Sequence, residues 1–138
     1  MSENCIFCKI VDNQLPSFTI CENNQFKVIF DRFPWTTGHT LILLKRHAET
    51  IFDLTESESE KIFGLATIIA KVLKESLNPD GLNILQNNGE AANQSVGHFH
   101  MHLIPRYKDD GVSITFPENY PSQEELEKIL EAVKNKMP

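Results

Sequence analysis

His98-Phe99-His100-Met101-His102-Leu103 is the stretch that decides how this chain is read. The chain has 5 histidines, and three of them fall at alternate positions here. In a β-strand successive side chains point to opposite faces. His98, His100 and His102 would then share one face, and Phe99, Met101 and Leu103 the other. Alternate Cα atoms lie roughly 6–7 Å apart along a strand. That spacing suits a row of imidazoles around a phosphate or a metal, with an apolar row anchoring the strand from behind. Histidine is not a favoured strand former, so a polar face that merely happens to be histidine is the weaker account.

Working outward, the strand runs to about Arg106, since Pro105 suits an edge or an end, and Lys108-Asp109-Asp110-Gly111 is a turn. Upstream, Asn87 to Gly97 is small and polar, with Asn88-Gly89 a strong turn signal. Leu82 to Gln86 is the preceding strand. Before it, the capping box Thr55-x-x-Glu58 opens a helix whose Ile62, Phe63, Ala66, Ile69, Ala70, Leu73 and Leu77 recur on one buried face. Asn78-Pro79-Asp80-Gly81 stops it. His39 to Leu44 is apolar enough for a strand near the sheet centre, preceded by a Pro- and Gly-containing loop from Asp31 to Gly38. Phe18–Glu22 and Phe26–Phe30 should pair as a hairpin about Asn23-Asn24. Ile6, Phe7, Ile10 and Val11 suggest one or two helical turns. A second capping box, Ser122-x-x-Glu125, opens a last helix with Leu126, Ile129, Leu130 and Val133 on its apolar face. Short connections and one long helix predict an α+β domain with a five-stranded antiparallel sheet. The long helix covers one sheet face and leaves the histidine face to a ligand.

At 138 residues the chain reads as a single domain, 1–138, with a core of about 5–106 and a C-terminal extension, 107–138. Lys and Arg number 13 against 19 Asp and Glu, a net charge of −6 with no basic run. Such a chain is a poor ligand for nucleic acid polymers, whereas a few local donors can still hold a small anion. Met1-Ser2-Glu3-Asn4 does not resemble a signal peptide, and no apolar run could span a bilayer, so no membrane partner and a cytoplasmic location are expected. Three cysteines fit no even disulfide framework. Cys5-x-x-Cys8 reads as half of a zinc site or as a redox motif, and its N-terminal position disfavours the redox reading. Cys21 is expected to be a small core side chain.

Two chemistries remain open for the histidines. The three could bind one catalytic metal with water at an open position, giving a zinc-dependent hydrolase. Alternatively one imidazole attacks phosphorus while its neighbours handle protons and phosphate oxygens. The loop from Gly89 to Gly97, with Asn93-Gln94-Ser95 offering donors just upstream, favours phosphorus. A non-catalytic nucleotide-binding regulatory module is a third possibility.

His98-Phe99-His100-Met101-His102-Leu103-Ile104, with Asn87, Gly89, Gln94-Ser95 and Gly38-His39-Thr40-Leu41-Ile42 upstream, resembles the histidine triad (HIT) superfamily of nucleotide hydrolases and transferases. The resemblance covers roughly Cys5 to Arg106. It implies a homodimer acting on a purine nucleoside phosphate, with His100 as the nucleophile that forms a nucleotidyl-imidazole intermediate. It implies that His102 contacts phosphate oxygens, His39 supports the triad, and Asn87, Gln94 and Ser95 contact ribose, phosphate or leaving group. Asp31 would take the ribose hydroxyls, and Ile6, Phe7 and Ile29 fall where the family lines its base pocket. In bacterial relatives and galactose-1-phosphate uridylyltransferases a structural zinc is held at positions matching Cys5, Cys8, His47 and His98, so His98 belongs to both sets. No organic cofactor is implied. Leu103-Ile104-Pro105-Arg106 is closer to the Fhit-like dinucleotide hydrolases, Asn87 to the Hint branch and Cys-x-x-Cys to the bacterial Hit group. The cleaved bond is therefore a phosphoramidate or a phosphoanhydride.

Overall fold

The computed structural model describes residues 3–138, so Met1 and Ser2 of the N-terminal reading lie outside the described residues. Five strands form one antiparallel sheet: β1 Thr19–Glu22, β2 Phe26–Phe30, β3 Thr40–Leu44, β4 Gly81–Leu85 and β5 His100–Arg106, in the order β1-β2-β3-β5-β4. Helices α1 Ile6–Val11, α2 Glu56–Leu77 and α3 Gln123–Lys134 complete it, with 3₁₀ turns at Ile51–Asp53 and Glu90–Ala92. The α+β fold and its five-stranded sheet agree with the expectation from the sequence.

Strand alternation gives the sheet two different faces. Phe26, Val28, Ile42, Leu44, Met101 and Leu103 pack with Phe99 beneath Ile62, Ala66, Ile69 and Leu73 of α2. Each such fully buried side chain contributes about 1.5–3 kcal/mol, so this layer is the main source of stability. On the other face Ile29, Leu41 and Leu43 meet Phe7, Ile10 and Val11 of the short α1. His100 and His102, paired with Leu43 and Leu41, belong to this more open side. Thr55 caps α2 through Glu58 N–H, and Glu58 returns a bond to Thr55 N–H. The same buried Glu58 takes both Nε and Nη2 of Arg46 at 2.9 Å, which fastens the end of β3, and His47 after it, to the helix. Gly38, at φ +90°, precedes β3, and any side chain there would collide with Leu77.

Two details differ from the sequence reading. β5 begins at His100 rather than His98, because His98 N–H turns back to Val96 O at 2.8 Å. Cys21 is exposed, not in the core: β1 is an edge strand with an irregularity between Thr19 and Cys21, and Ile20 takes the inward position. Pro105 falls where the sequence reading put it, one residue from the end of β5. It is tolerated there because the β3–β5 ladder ends at Thr40 and Leu103, so β5 has a single neighbour beyond that point. The apolar side chains of α3 (Leu126, Ile129, Leu130 and Val133) are all more than half exposed. No helix of the described residues is long and apolar enough to cross a membrane.

Candidate active site

A cleft of about 510 Å³ opens on the α1 side of the sheet. Ile6 and Phe7 of α1, Ile29 of β2, Asp31, Ser95, His100 and His102 all line it. Its floor is β5, its apolar wall is α1, and the loop after β2 brings Asp31. His100 and His102 are 4 % and 6 % exposed, with ring centroids 5.0 Å apart. Phe7 stands edge-on to His100 at 4.9 Å.

The protonated nitrogen of each ring follows from groups that can only donate or only accept. A backbone carbonyl only accepts, so His100 Nδ1–H donates to His98 O at 2.7 Å and Nε2 keeps its lone pair. A backbone N–H only donates, so His39 Nδ1 accepts from Trp35 N–H at 3.1 Å and carries its proton on Nε2. That proton is donated to His102 Nδ1 at 2.8 Å, which leaves the His102 proton on Nε2. The two neighbouring imidazoles of the cleft therefore differ: His100 offers a lone pair and His102 a proton.

Burial lowers the pKa of all three rings by disfavouring the charged form. His102 falls to about 4, driven first by burial and then by the charges of His100 and His39. For His100 and His39 the lowering by burial is opposed in part by Asp31. Asp31 Oδ2 lies 3.7 Å from His39 Nε2, and Oδ1 accepts Phe33 N–H at 2.8 Å. All three rings are thus neutral near pH 7.

A second cluster lies behind His98. Its Nε2–H donates to Leu44 O at 2.6 Å, which leaves Nδ1 bare. That nitrogen is 3.4 Å from Cys5 Sγ, 3.5 Å from Cys8 Sγ and 3.2 Å from His47 Nδ1, and His47 Nδ1 is 3.2 Å from Cys8 Sγ. The four donor atoms lie within 4.8 Å of one another. Two thiolates and two imidazoles about a tetrahedral ion would stand roughly 3.3–3.8 Å apart, given metal–ligand bonds of about 2.0–2.3 Å. The four contact distances about His98 and His47 lie within a few tenths of an ångström of those edges. This donor set fits a closed metal site. The cysteines form no disulfide.

His98, His100 and His102 do not converge as one ligand set. Both ring nitrogens of His98 are engaged elsewhere, which removes the geometric basis of the triad-as-ligands reading. Asn87 and Gln94 do not line the cleft. Gln94 accepts Gly89 N–H and donates to Glu49 O and Val96 O, so it shapes the loop that carries Ser95. Asn87 donates to Asn93 O at 3.4 Å within the same loop. One contributor was missed: Trp35 stacks on His102 at 5.2 Å and 15°, besides fixing the His39 tautomer. It is the chain's only tryptophan, four residues before His39 in a Pro- and Gly-containing loop, and that rarity was the available signal.

The family model for the HIT domain matches residues 12–109. The chain belongs to the HIT family. Protein hit of Bacillus subtilis is 38 % identical over 140 residues, covering 99 % of this chain and 96 % of that protein. Adenosine 5'-monophosphoramidase hnt1 of Schizosaccharomyces pombe is 33 % identical, covering 97 % of this chain and 98 % of its own length. Among solved structures, a HIT family protein from Bacillus anthracis is 38 % identical, with a TM-score of 0.92 and full coverage of both chains. A Zn-bound histidine triad family protein from Mycobacterium smegmatis is 34 % identical with a TM-score of 0.75, covering 96 % of this chain and 94 % of its own. The HIT signature accounts for the alternating histidines of this chain, which here serve two adjoining clusters.

Proposed function

We propose that this HIT protein is a purine nucleotide hydrolase or nucleotidyl transferase that cleaves a phosphoramidate or phosphoanhydride bond through a nucleotidyl-His100 intermediate. The observation that carries this reading is the pairing of a bare His100 Nε2 with a protonated His102 Nε2 in one cleft. In the first displacement the His100 Nε2 lone pair forms a bond to the α-phosphorus. The bond to the leaving group breaks with its electron pair, so that a phosphate departs as the anion and an amine departs after taking a proton from solvent, and the Ser95 hydroxyl contributes a hydrogen bond to that group. His102 Nε2–H donates to a non-bridging oxygen. The imidazole becomes cationic, and its Nδ1–H bond to His98 O strengthens as the charge develops. In the second displacement water attacks phosphorus from the vacated side and loses a proton to solvent, the P–N bond breaks with its electron pair returning to Nε2, and His100 leaves as a neutral ring. Asp31 takes the ribose hydroxyls, Ile6, Phe7 and Ile29 hold the base, and His39 keeps His102 in its donor tautomer. Gln94 and Asn87 act through the loop that presents Ser95.

Cys5, Cys8, His47 and His98 would hold a structural zinc. The ion would tie α1 to the sheet and take no part in the displacements. The phosphoramidase name of hnt1 and the bound zinc of the Mycobacterium smegmatis relative support the two readings respectively. A homodimer is part of the proposal: β4 leaves one edge unpaired at the sheet margin, and the exposed Ile84 of that strand lines one hollow with the exposed Phe63 of α2. The partner is a small purine nucleoside phosphate rather than a nucleic acid or a membrane, and the protein works in the cytoplasm.

The test is to offer adenosine phosphoramidate, aminoacyl adenylates and diadenosine polyphosphates side by side, and to acid-quench for a covalent nucleotide on His100. Turnover with an adduct that disappears in His100→Ala supports the reading. Binding of nucleoside monophosphate without turnover of any of the three favours the regulatory module instead.

A further inference from the structure

Lys27 is the second residue of β2, on the same face as Ile29, and is 2 % exposed. Its cross-strand partner on β3 is Leu43, a member of the apolar layer under α1. An aliphatic side chain would pack there at no electrostatic cost, whereas burying an ammonium group costs several kcal/mol unless its donors are satisfied. Lys27 Nζ donates to Ile10 O at 3.0 Å and to Asn13 Oδ1 at 2.7 Å. Ile10 lies in the last turn of α1, where the helix dipole is negative, and its carbonyl accepts Asn13 N–H at 3.1 Å as well as the ammonium. Asn13 is held at φ +61°, just past the helix end, so its side-chain oxygen faces the ammonium.

Helix α1 has six residues, too few to be stable alone. Its N-terminal end carries Cys5 as cap together with Cys8, and its side carries Ile6 and Phe7 of the cleft wall. We propose that Lys27 is a positioning residue: it pins the C-terminal end of α1 to the sheet and so sets how closely Phe7 and Ile6 approach His100. The proposal rests on the nucleotide reading of the cleft. The helix is then fastened at both ends, by the thiol–imidazole cluster at one and by a buried cation at the other. Neither fastening touches the substrate.

Two variants test it in the full-length, zinc-loaded protein. Lys27→Met keeps the stem and removes the charge and both hydrogen bonds. Asn13→Gly keeps the left-handed backbone and removes one acceptor. For Lys27→Met the expected result is a rise of about tenfold in KM for adenosine phosphoramidate with kcat within about threefold of wild type, and faster transfer of zinc to a chromogenic chelator. Asn13→Gly should shift both readouts the same way by a smaller factor, and it carries the test if Lys27→Met does not fold. A folded variant with lowered Tm but wild-type KM overturns the proposal, since Lys27 would then be structural only. Should the wild-type protein turn over no nucleotide, the zinc arm decides. Faster release in either variant upholds the pinning of α1 while the nucleotide reading falls, and release at the wild-type rate overturns the pinning as well.

Discussion

His98 and His100 are two residues apart, yet each presents the opposite nitrogen to its surroundings. His98 ties Nε2–H to Leu44 O and turns a bare Nδ1 toward two thiols and His47. His100 ties Nδ1–H to His98 O and keeps a bare Nε2 on a residue that lines the cleft. One cluster is a closed set of four donors, and the other is an open pair with one acceptor and one donor. Residue type does not separate them. Backbone carbonyls do, because each fixes one proton and thereby decides which lone pair is free and what can meet it.

The sharpest way to break that contrast is to remove one ring from each side. His100→Ala should lower turnover by at least about a thousandfold, while nucleoside monophosphate still binds and zinc content is unchanged by metal analysis. An effect on metal content equal to that of Cys8→Ser would show that the clusters are not separate. Next in size is loss of the metal set. Cys8→Ser, or treatment with a strong chelator, should lower Tm by about 10 °C as followed by calorimetry. At temperatures where the protein stays folded the covalent adduct on His100 should still form. Loss of the adduct together with the metal, in folded protein and restored by zinc, would return the zinc-dependent hydrolase to favour.

Alternation alone was enough to place His100 and His102 opposite Met101 and Leu103, because a strand has one period and its apolar row had to face α2. Both capping boxes and the first hairpin were legible for the same local reason. What could not be read was set by contacts distant in sequence. β5 starts late because Phe99 N–H bonds to Ala48 O and His98 N–H to Val96 O. Cys21 is exposed because β1 became an edge, which depends on the order of all five strands. Gln94 looks like a donor for ligand in the sequence, but both of its N–H groups are taken by backbone carbonyls, one of them that of Glu49, and its oxygen accepts Gly89 N–H. The four side chains of the candidate metal site were brought together by family resemblance rather than by spacing. The amphipathic pattern of α3 gave the helix, yet its apolar face stays more than half exposed among the described residues, since a pattern specifies a face and not a partner.

A gentler probe is pH. An unfolded histidine titrates near 6.5, whereas His102 in the folded protein titrates at about 4. Between those values the unfolded chain binds the extra proton and the folded one does not. The contribution of His102 to stability is therefore present above about 6.5 and is lost as pH falls toward 4. The rate should follow the same sign. A proton added at His102 Nδ1 would face His39 Nε2–H and end the hydrogen bond that fixes the donor tautomer. Turnover should stay level through neutrality and fall only well below the ordinary imidazole range. An acid limb centred near 6.5 in the wild-type protein would mean that His102 is not shielded in solution.

The smallest expected effect belongs to Trp35, and it sharpens the comparison most finely. Its indole lies nearly parallel to the His102 ring at 5.2 Å, while its own side chain remains about half exposed. It therefore shields one face of His102 from water without closing the cleft. The bond that sets the His39 tautomer comes from the Trp35 backbone, which every residue except proline supplies. Trp35→Ala should then leave the relay intact and admit water to His102, so the desolvation that holds its pKa down weakens. The acid limb of turnover should move up by about one pH unit, with a loss of only about threefold at neutral pH. Zinc content and Tm should change little, because the indole is remote from the cysteine cluster in the hydrogen-bond network. A large drop at neutral pH with an unmoved acid limb would instead mean that the indole contacts substrate, making Trp35 part of the binding surface rather than a shield.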